Sequence, residues 1–169
     1  MNQALNKETF IAHPSLGAGA TYFYFEADFI KDNIRCIPMC ARFKLDAAGI
    51  KFKLKDWCNI SVTERNTIAE YDCNTVDKLK SYKAYLQELI FSNTGMEAKE
   101  LRLETTLEWD ETDTMPPSVV EKCSEFSIPF SIENWRQLNE LQRFALIKLS
   151  KSAHENKNFP LAMKEFGVV

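Results

Sequence analysis

Between Thr75 and Gly95 the apolar residues Leu79, Tyr82, Leu86, Leu89 and Ile90 recur at spacings of three and four. That spacing lays them on one face of a helix. The pattern predicts a core-facing helix over about 76–91, opened by Thr75 as N-cap and stopped by Asn93 to Gly95. A second pattern surrounds two tryptophans. Trp57 lies in IKFKLKDWCNISVTERNTI and Trp135 in IPFSIENWRQLNELQRFAL, 78 residues later. The same offset pairs Pro38 with Pro116, Ile50 with Ile128, Phe52 with Phe130, Leu54 with Ile132, Ile60 with Leu138, Arg65 with Arg143 and Ile68 with Leu146. Tryptophan, proline and arginine keeping one register reads as an internal duplication.

Each half then reads alike. Pro38 and Pro116 suit the first turn of helices that run to about Ala48 and about Glu125. A short extended piece follows (Ile50 to Phe52, Ile128 to Phe130), then a helical turn bearing the tryptophan. Ser61 with Glu64 forms a capping box, and Asn139 opens the matching N-E-L-Q. Both should start helices, one carrying Arg65 and the other Arg143. A last helix is expected after Pro160, with Leu161, Met163 and Phe166 on it. LRLETTL (101–107) alternates enough for a short strand, and YFYF (22–25) is read as its partner or as a hydrophobic plug. The fold class is therefore mainly α, a single-domain helical bundle over 21–169 with minor β near 22–25 and 101–107. Its half-repeats are about 36–92 and 114–169, joined by an acidic connector of about 93–115. The Gly, Ala and Ser of residues 1–20 suggest a flexible leader.

Composition narrows the function. At 45% hydrophobic and 27% charged the chain is globular rather than disordered. A net charge of -3 argues against nonspecific nucleic-acid binding. No apolar run approaches a membrane span, and the N-terminus lacks the pattern of a secretory signal. Five cysteines (36, 40, 58, 73, 123) with no export signal suggest a reduced, cytoplasmic protein. Cys36 and Cys40 are spaced C-x3-C, with no second close pair to complete a zinc site. Residues 154–158 read HENKN, one histidine short of the H-E-x-x-H zinc helix. The only other histidine is His13, so the supply of ligands is missing. Ser152 to Asn158 reads instead as a polar turn between helices, or as a patch in which His154 and Glu155 meet a partner.

Other charged residues admit two readings. Arg42 and Asp46 stand four apart and can pair along a helix, and Glu26 or Asp28 can reach a basic residue. Arg65 and Arg143 suit pinning a helix to a neighbouring loop. Alternatively Arg35, Arg42, Lys44 and Arg143 line a basic pocket for an anionic cofactor, although no glycine-rich phosphate loop accompanies them. Four aromatics in a row, Tyr22 to Phe25, cannot all face one core, so some meet the leader, a partner or another subunit. No G-x-S-x-G elbow is present, and pairing of Cys36 with His154 in space stays open.

Three blocks carry a resemblance. FYFEADFIKDNIRCIPMCARFKLDAAGIKFKLKDW (23–57), the helix after it, and NWRQLNELQRFALIKLSKSAHENKNFPLAMKEFG (134–167) resemble the conserved nitrate reductase-associated proteins, typified in cyanobacteria. Cys40 stands where that pattern has an aliphatic residue. The resemblance implies a cytoplasmic, non-enzymatic accessory protein that assists maturation or stability of assimilatory nitrate reductase by direct contact. It implies no catalytic residues, no cofactor and no metal. The expected partner surface is drawn from the matching blocks: Phe25, Glu26, Asp28, Arg35, Cys36, Arg42, Lys44, Asp46, Arg143, His154, Glu155 and Asn158. The alternative is a carrier of a small ligand, cofactor or metal.

Overall fold

Side-chain caps and left-handed stops divide this chain into many short helices. A computed structural model describes residues 9–153 and 157–169. In chain order it has 3-10 turns at Pro14–Leu16 and Tyr24–Glu26, then α1 (Ala27–Lys31), α2 (Met39–Ala48), β1 (Ile50–Lys51), α3 (Leu54–Asn59), α4 (Val62–Glu70) and α5 (Val76–Thr94). β2 (Lys99–Glu100), α6 (Pro117–Glu125), α7 (Ile132–Gln137), α8 (Glu140–Lys151) and α9 (Asn158–Glu165) complete it. The mainly helical fold class is the one expected. Among the described residues no helix is long and apolar enough to cross a membrane.

The element boundaries keep the register seen in the sequence. α2 and α6, α3 and α7, and α4 and α8 each begin 78 residues apart. Ser61 and Asn139 both form the expected reciprocal caps, with Glu64 and Gln142. Ser131 adds a third, with Asn134, at the start of α7. Trp57 and Trp135 are both fully buried, and each meets a phenylalanine edge-on, Phe52 at 5.7 Å and Phe130 at 6.4 Å between centroids.

The minor β structure differs in place from the expectation. The strand lies at Lys99–Glu100, just before LRLETTL, and pairs antiparallel with Ile50–Lys51. Residues 22–25 lead into a 3-10 turn instead, because a buried carboxylate at Glu26 takes the backbone N–H of Phe23 and bends the chain there. α9 begins at Asn158, ahead of Pro160, which is accommodated in the first turn, where N–H groups lack helical partners.

The chain divides into two compact units, with boundaries after Ala20, inside α2 and after Thr105. One holds the residues up to Ala20 and Lys44–Thr105. Its core gathers Leu16, Trp57, Ile68, Leu79, Tyr82 and Leu86, all fully buried. Within the stretch read as a leader, Leu16 O accepts from Cys73 N at 2.8 Å and Gly19 N donates to Glu70 O at 2.9 Å. Lys44 is buried and its ammonium donates to Gly19 O at 2.9 Å and Ala69 O at 2.7 Å. The cation thus sits at the carbonyl end of α4, where the helix dipole favours it.

The other unit holds Thr21–Phe43 and Thr106–Val169. Trp135, Leu146, Leu149, Phe159 and Met163 fill its core. The acidic connector is tied into it by Trp109, which is buried and meets Phe43 edge-on at 4.7 Å. Trp135 Nε1 donates to Glu111 O at 2.8 Å.

α2 and α6 end on left-handed residues 78 apart, Gly49 (φ 70°) and Ser127 (φ 54°). A Cβ at Gly49 would lie 3.0 Å from Leu103 Cδ2 and 3.1 Å from Leu101 O, so glycine is needed for space as well as for φ. Serine at 127 carries the Cβ strain alone. Replacing Ser127 by Gly should raise unfolding free energy by about 1 kcal/mol, whereas Gly49→Ala should lower it by more than that. Urea denaturation measures both. An S127G protein no more stable than wild type would mean that the turn is unstrained.

Candidate functional site: an aromatic turn held by two carboxylates

The FEADF block builds one turn of 3-10 helix and the short helix α1. The turn lies in the second unit, where α9 packs against it. Two acidic side chains hold it. Glu26 is 2% exposed. Its Oε1 accepts Met39 N at 2.7 Å and its Oε2 accepts Phe23 N at 3.2 Å. The first bond caps α2, whose opening N–H groups have no helical partner. Glu165, at the end of α9, accepts Tyr24 N at 2.7 Å and Phe25 N at 3.1 Å, one on each oxygen. Four backbone N–H groups are therefore fixed by two carboxylates. Phe23, Phe25 and Phe166 cluster beside them, with centroids 5.3, 5.0 and 6.4 Å apart pairwise.

The four consecutive aromatics do split as their number requires. Phe23 is buried, Tyr22 and Phe25 are half-buried, and Tyr24 is 87% exposed. Beyond them α1 buries none of its residues. The chain then turns through two left-handed residues, Asn33 (φ 54°) and Ile34 (φ 53°). A buried, β-branched Ile34 in that region is strained.

Burial raises the Glu26 carboxyl from its ordinary value near 4.5 to about 7. The N–H bonds from Met39 and Phe23 and the charge of Arg42 oppose this, and the neighbouring Glu165 adds to it. The two backbone N–H bonds favour the carboxylate, and burial outweighs them.

The remaining residues expected at a partner surface fall into three groups. Asp28 and Arg35 are exposed. Arg35 pairs with Asp32 at 2.8 Å, an open surface pair worth little. Phe25, Cys36, Arg42, Asp46 and Asn158 are partly exposed. Glu26, Lys44 and Arg143 are buried. His154 and Glu155 lie outside the described residues, and so does the centre of HENKN. Three of the four cations proposed for a basic pocket are engaged by backbone oxygens, and Arg35 pairs with Asp32 instead. Arg42 Nε donates to Ile37 O at 3.1 Å, Lys44 bonds Gly19 and Ala69, and Arg143 donates to Trp109 O at 2.6 Å and to Leu138 O. Arg65 behaves likewise, donating to Trp57 O at 3.1 Å and Cys58 O at 3.0 Å. All five cysteines are free thiols. Burial pushes Cys73 up to about 12 and Cys123 up to about 11, so neither is a ready nucleophile.

Sequence reasoning missed Glu165 and Trp109. Glu165 bonds residues 140 and 141 positions earlier, which no local spacing reports. Trp109 did carry a signal, a lone indole inside a polar acidic stretch.

The family model described as conserved nitrate reductase-associated protein matches residues 22–166. No curated protein and no solved structure matches the chain.

Because the folded pKa of Glu26 is raised, the native state holds a proton that the unfolded chain has lost between about pH 4.5 and about pH 7. Its contribution is full below that window and lost as pH rises through it, by on the order of 3 kcal/mol. Stability from urea melts should fall from about pH 5 to about pH 8 in wild type and stay flatter in Glu26→Gln. Parallel profiles would place the titration elsewhere. Arg143→Ala strands two carbonyls in a buried site and should cost about 3 kcal/mol, with Arg143→Lys recovering only part, since one ammonium cannot reproduce the fork. A neutral R143A would remove the arginine from the fold's essential ties.

Proposed function

The chain belongs to the conserved nitrate reductase-associated protein family, and on that premise we propose that it is a non-enzymatic accessory which touches nitrate reductase directly and assists its maturation or stability in the cytoplasm. The family description names an association and not a reaction. The observation that carries the reading is the turn at Tyr24. A phenol 87% exposed stands on a backbone fixed by four hydrogen bonds to buried or half-buried carboxylates. A rigid, exposed tyrosine loses little entropy on docking and makes a good interface anchor. Asp28 and Arg35, exposed in the same segment, supply charges of both signs for a polar rim. The proposed contact surface is therefore Tyr24, Asp28 and Arg35, with Phe25, Cys36 and Arg42 partly accessible beside them. Glu26 acts beneath it, by holding backbone in place, and Arg143 holds the backbone at Trp109 and Leu138.

The test is co-purification of nitrate reductase with the tagged protein from nitrate-grown cells. Wild type should retain the reductase. Tyr24→Ala combined with Arg35→Ala, shown to be folded by circular dichroism, should retain about tenfold less. Retention unchanged in that variant would move the surface elsewhere, and no reductase on the wild-type protein would end the direct-contact reading.

A further inference from the structure

We propose that the first unit carries a docking face for an acidic segment of a partner protein, made by Lys51, Lys53, Lys55 and Lys99 around the exposed Leu54. It is independent of the contact proposed at Tyr24.

Side chains alternate along β1 and the residues after it. Ile50 and Phe52 are buried, and Lys51 and Lys53 are exposed. On β2, Glu100 turns back to Lys83 at 3.0 Å and Gln87 at 2.9 Å, while Lys99 is exposed. The antiparallel register sets Lys99 directly opposite Lys51. Leu54, 52% exposed, and the exposed Lys55 open α3 next to Lys53. Among the described residues none of the four lysine side chains has an ion pair or hydrogen bond. Two acids lie close in the chain, Asp56 and Glu97, and neither is paired with them.

This arrangement weakens the fold at three points. Like charges directly opposite each other in a ladder repel. Lys53 and Lys55 stand at the N–H end of α3, where the dipole disfavours cations. Lys53 is also the N-cap and makes no side-chain cap bond. The architecture requires none of this. At the matching positions 78 residues on stand Pro129, Ser131 and Glu133. There Ser131 caps α7 in a reciprocal box with Asn134, and Glu133 lies in the first turn, where the dipole favours it. α7 is as long as α3 and buries its tryptophan as fully. Lysines also deter strand-to-strand association, but a lysine facing a glutamate would do so without the repulsion. A break with local rules that gains the fold nothing marks a functional surface.

A group that suits this face brings negative charge and an apolar side chain. The chain's net charge of -3 repels an extended polyanion such as a nucleic acid. α3 has six residues and one large exposed apolar side chain, Leu54, too little to lie in a membrane surface. The acidic connector of a second copy is a poorer match, because its Glu108 and Asp113 already pair with Lys151 and Arg136. An acidic protein segment fits best, its carboxylates on the lysine rim and an apolar side chain on Leu54.

Fluorescence polarisation of the full chain with a labelled peptide of glutamates around a central leucine tests this. Binding should be saturable, should weaken several-fold from about 50 to about 200 mM salt, and should exceed that of the glutamine counterpart. Lys51→Glu with Lys53→Ser should weaken it about tenfold. The same variant should raise the midpoint of urea unfolding, because each change removes a local repulsion or restores a cap. Lys31→Glu with Lys80→Ser, an equal change of charge at exposed lysines elsewhere, should leave binding within about twofold. Cys58 is exposed on α3 and reports the place. Bound peptide should slow its alkylation, resolved by peptide mapping, and leave that of Cys36 unchanged. No saturable binding, equal binding of the glutamine peptide, equal loss in the control variant, or unslowed Cys58 would overturn the proposal. So would a Lys51→Glu, Lys53→Ser protein that binds as before or is less stable, or tighter binding of a single-stranded oligonucleotide or phosphatidylserine vesicles than of the peptide.

Discussion

Short helices leave most of their own end groups unpaired, and this chain is built from short helices. A helix of six residues, such as α3 or α7, has hardly a peptide group that is not within a turn of one end. Something else must supply the missing donors. Arg65 does so for α3, reaching the carbonyls of Trp57 and Cys58 from the next helix. Arg143 meets the C-cap carbonyl of α7 at Leu138 and adds that of Trp109. The tryptophan of each short helix can then be buried without a stranded backbone behind it. A guanidinium suits this better than an ammonium because its donors diverge in a fixed plane.

The same constraint explains why charges in the most distinctive blocks of the sequence point inward. Glu26 serves α2 and the 3-10 turn, Lys44 serves α4, and Glu165 serves the turn again from α9. A charged residue in a recognisable motif invites a reading as a binding group. Here several such residues face backbone. The exposed members of the same blocks, Asp28 and Arg35, and the exposed Tyr24 between two packed phenylalanines, are what the blocks leave for a partner.

How much was legible follows from the range of each interaction. Helix positions were legible because caps and apolar stripes are local. Ser61 with Glu64, Asn139 with Gln142 and the stripe of α5 lie within a few turns of one another. The register of 78 was legible because tryptophan and proline are rare and their spacing carries information. The short sheet was misplaced because a two-residue strand has no periodicity to read. Glu165 was illegible because its partners lie 140 residues away in the chain, and nothing in KEFG distinguishes a clamp from a solvated end. The burial of Glu26 was hidden for a related reason: FEADF alternates apolar and acidic residues, and the pattern alone puts the acid outside.

Why carboxylates should hold the aromatic turn, when Ser and Asn cap other helices here, has a physical answer. A serine or asparagine oxygen reaches a backbone N–H two or three residues along its own chain. Glu165 instead spans from the end of one helix to the start of another element, and its two oxygens hold adjacent peptides at once. Glu26 likewise joins Phe23 to Met39, across a loop that has no regular structure of its own near Asn33. A neutral cap would remove the cost of burying charge, but one amide oxygen cannot present two acceptor atoms a carboxylate's width apart. The geometry of two acceptors is thus bought with a buried ionisable group, and sensitivity to pH comes with the choice.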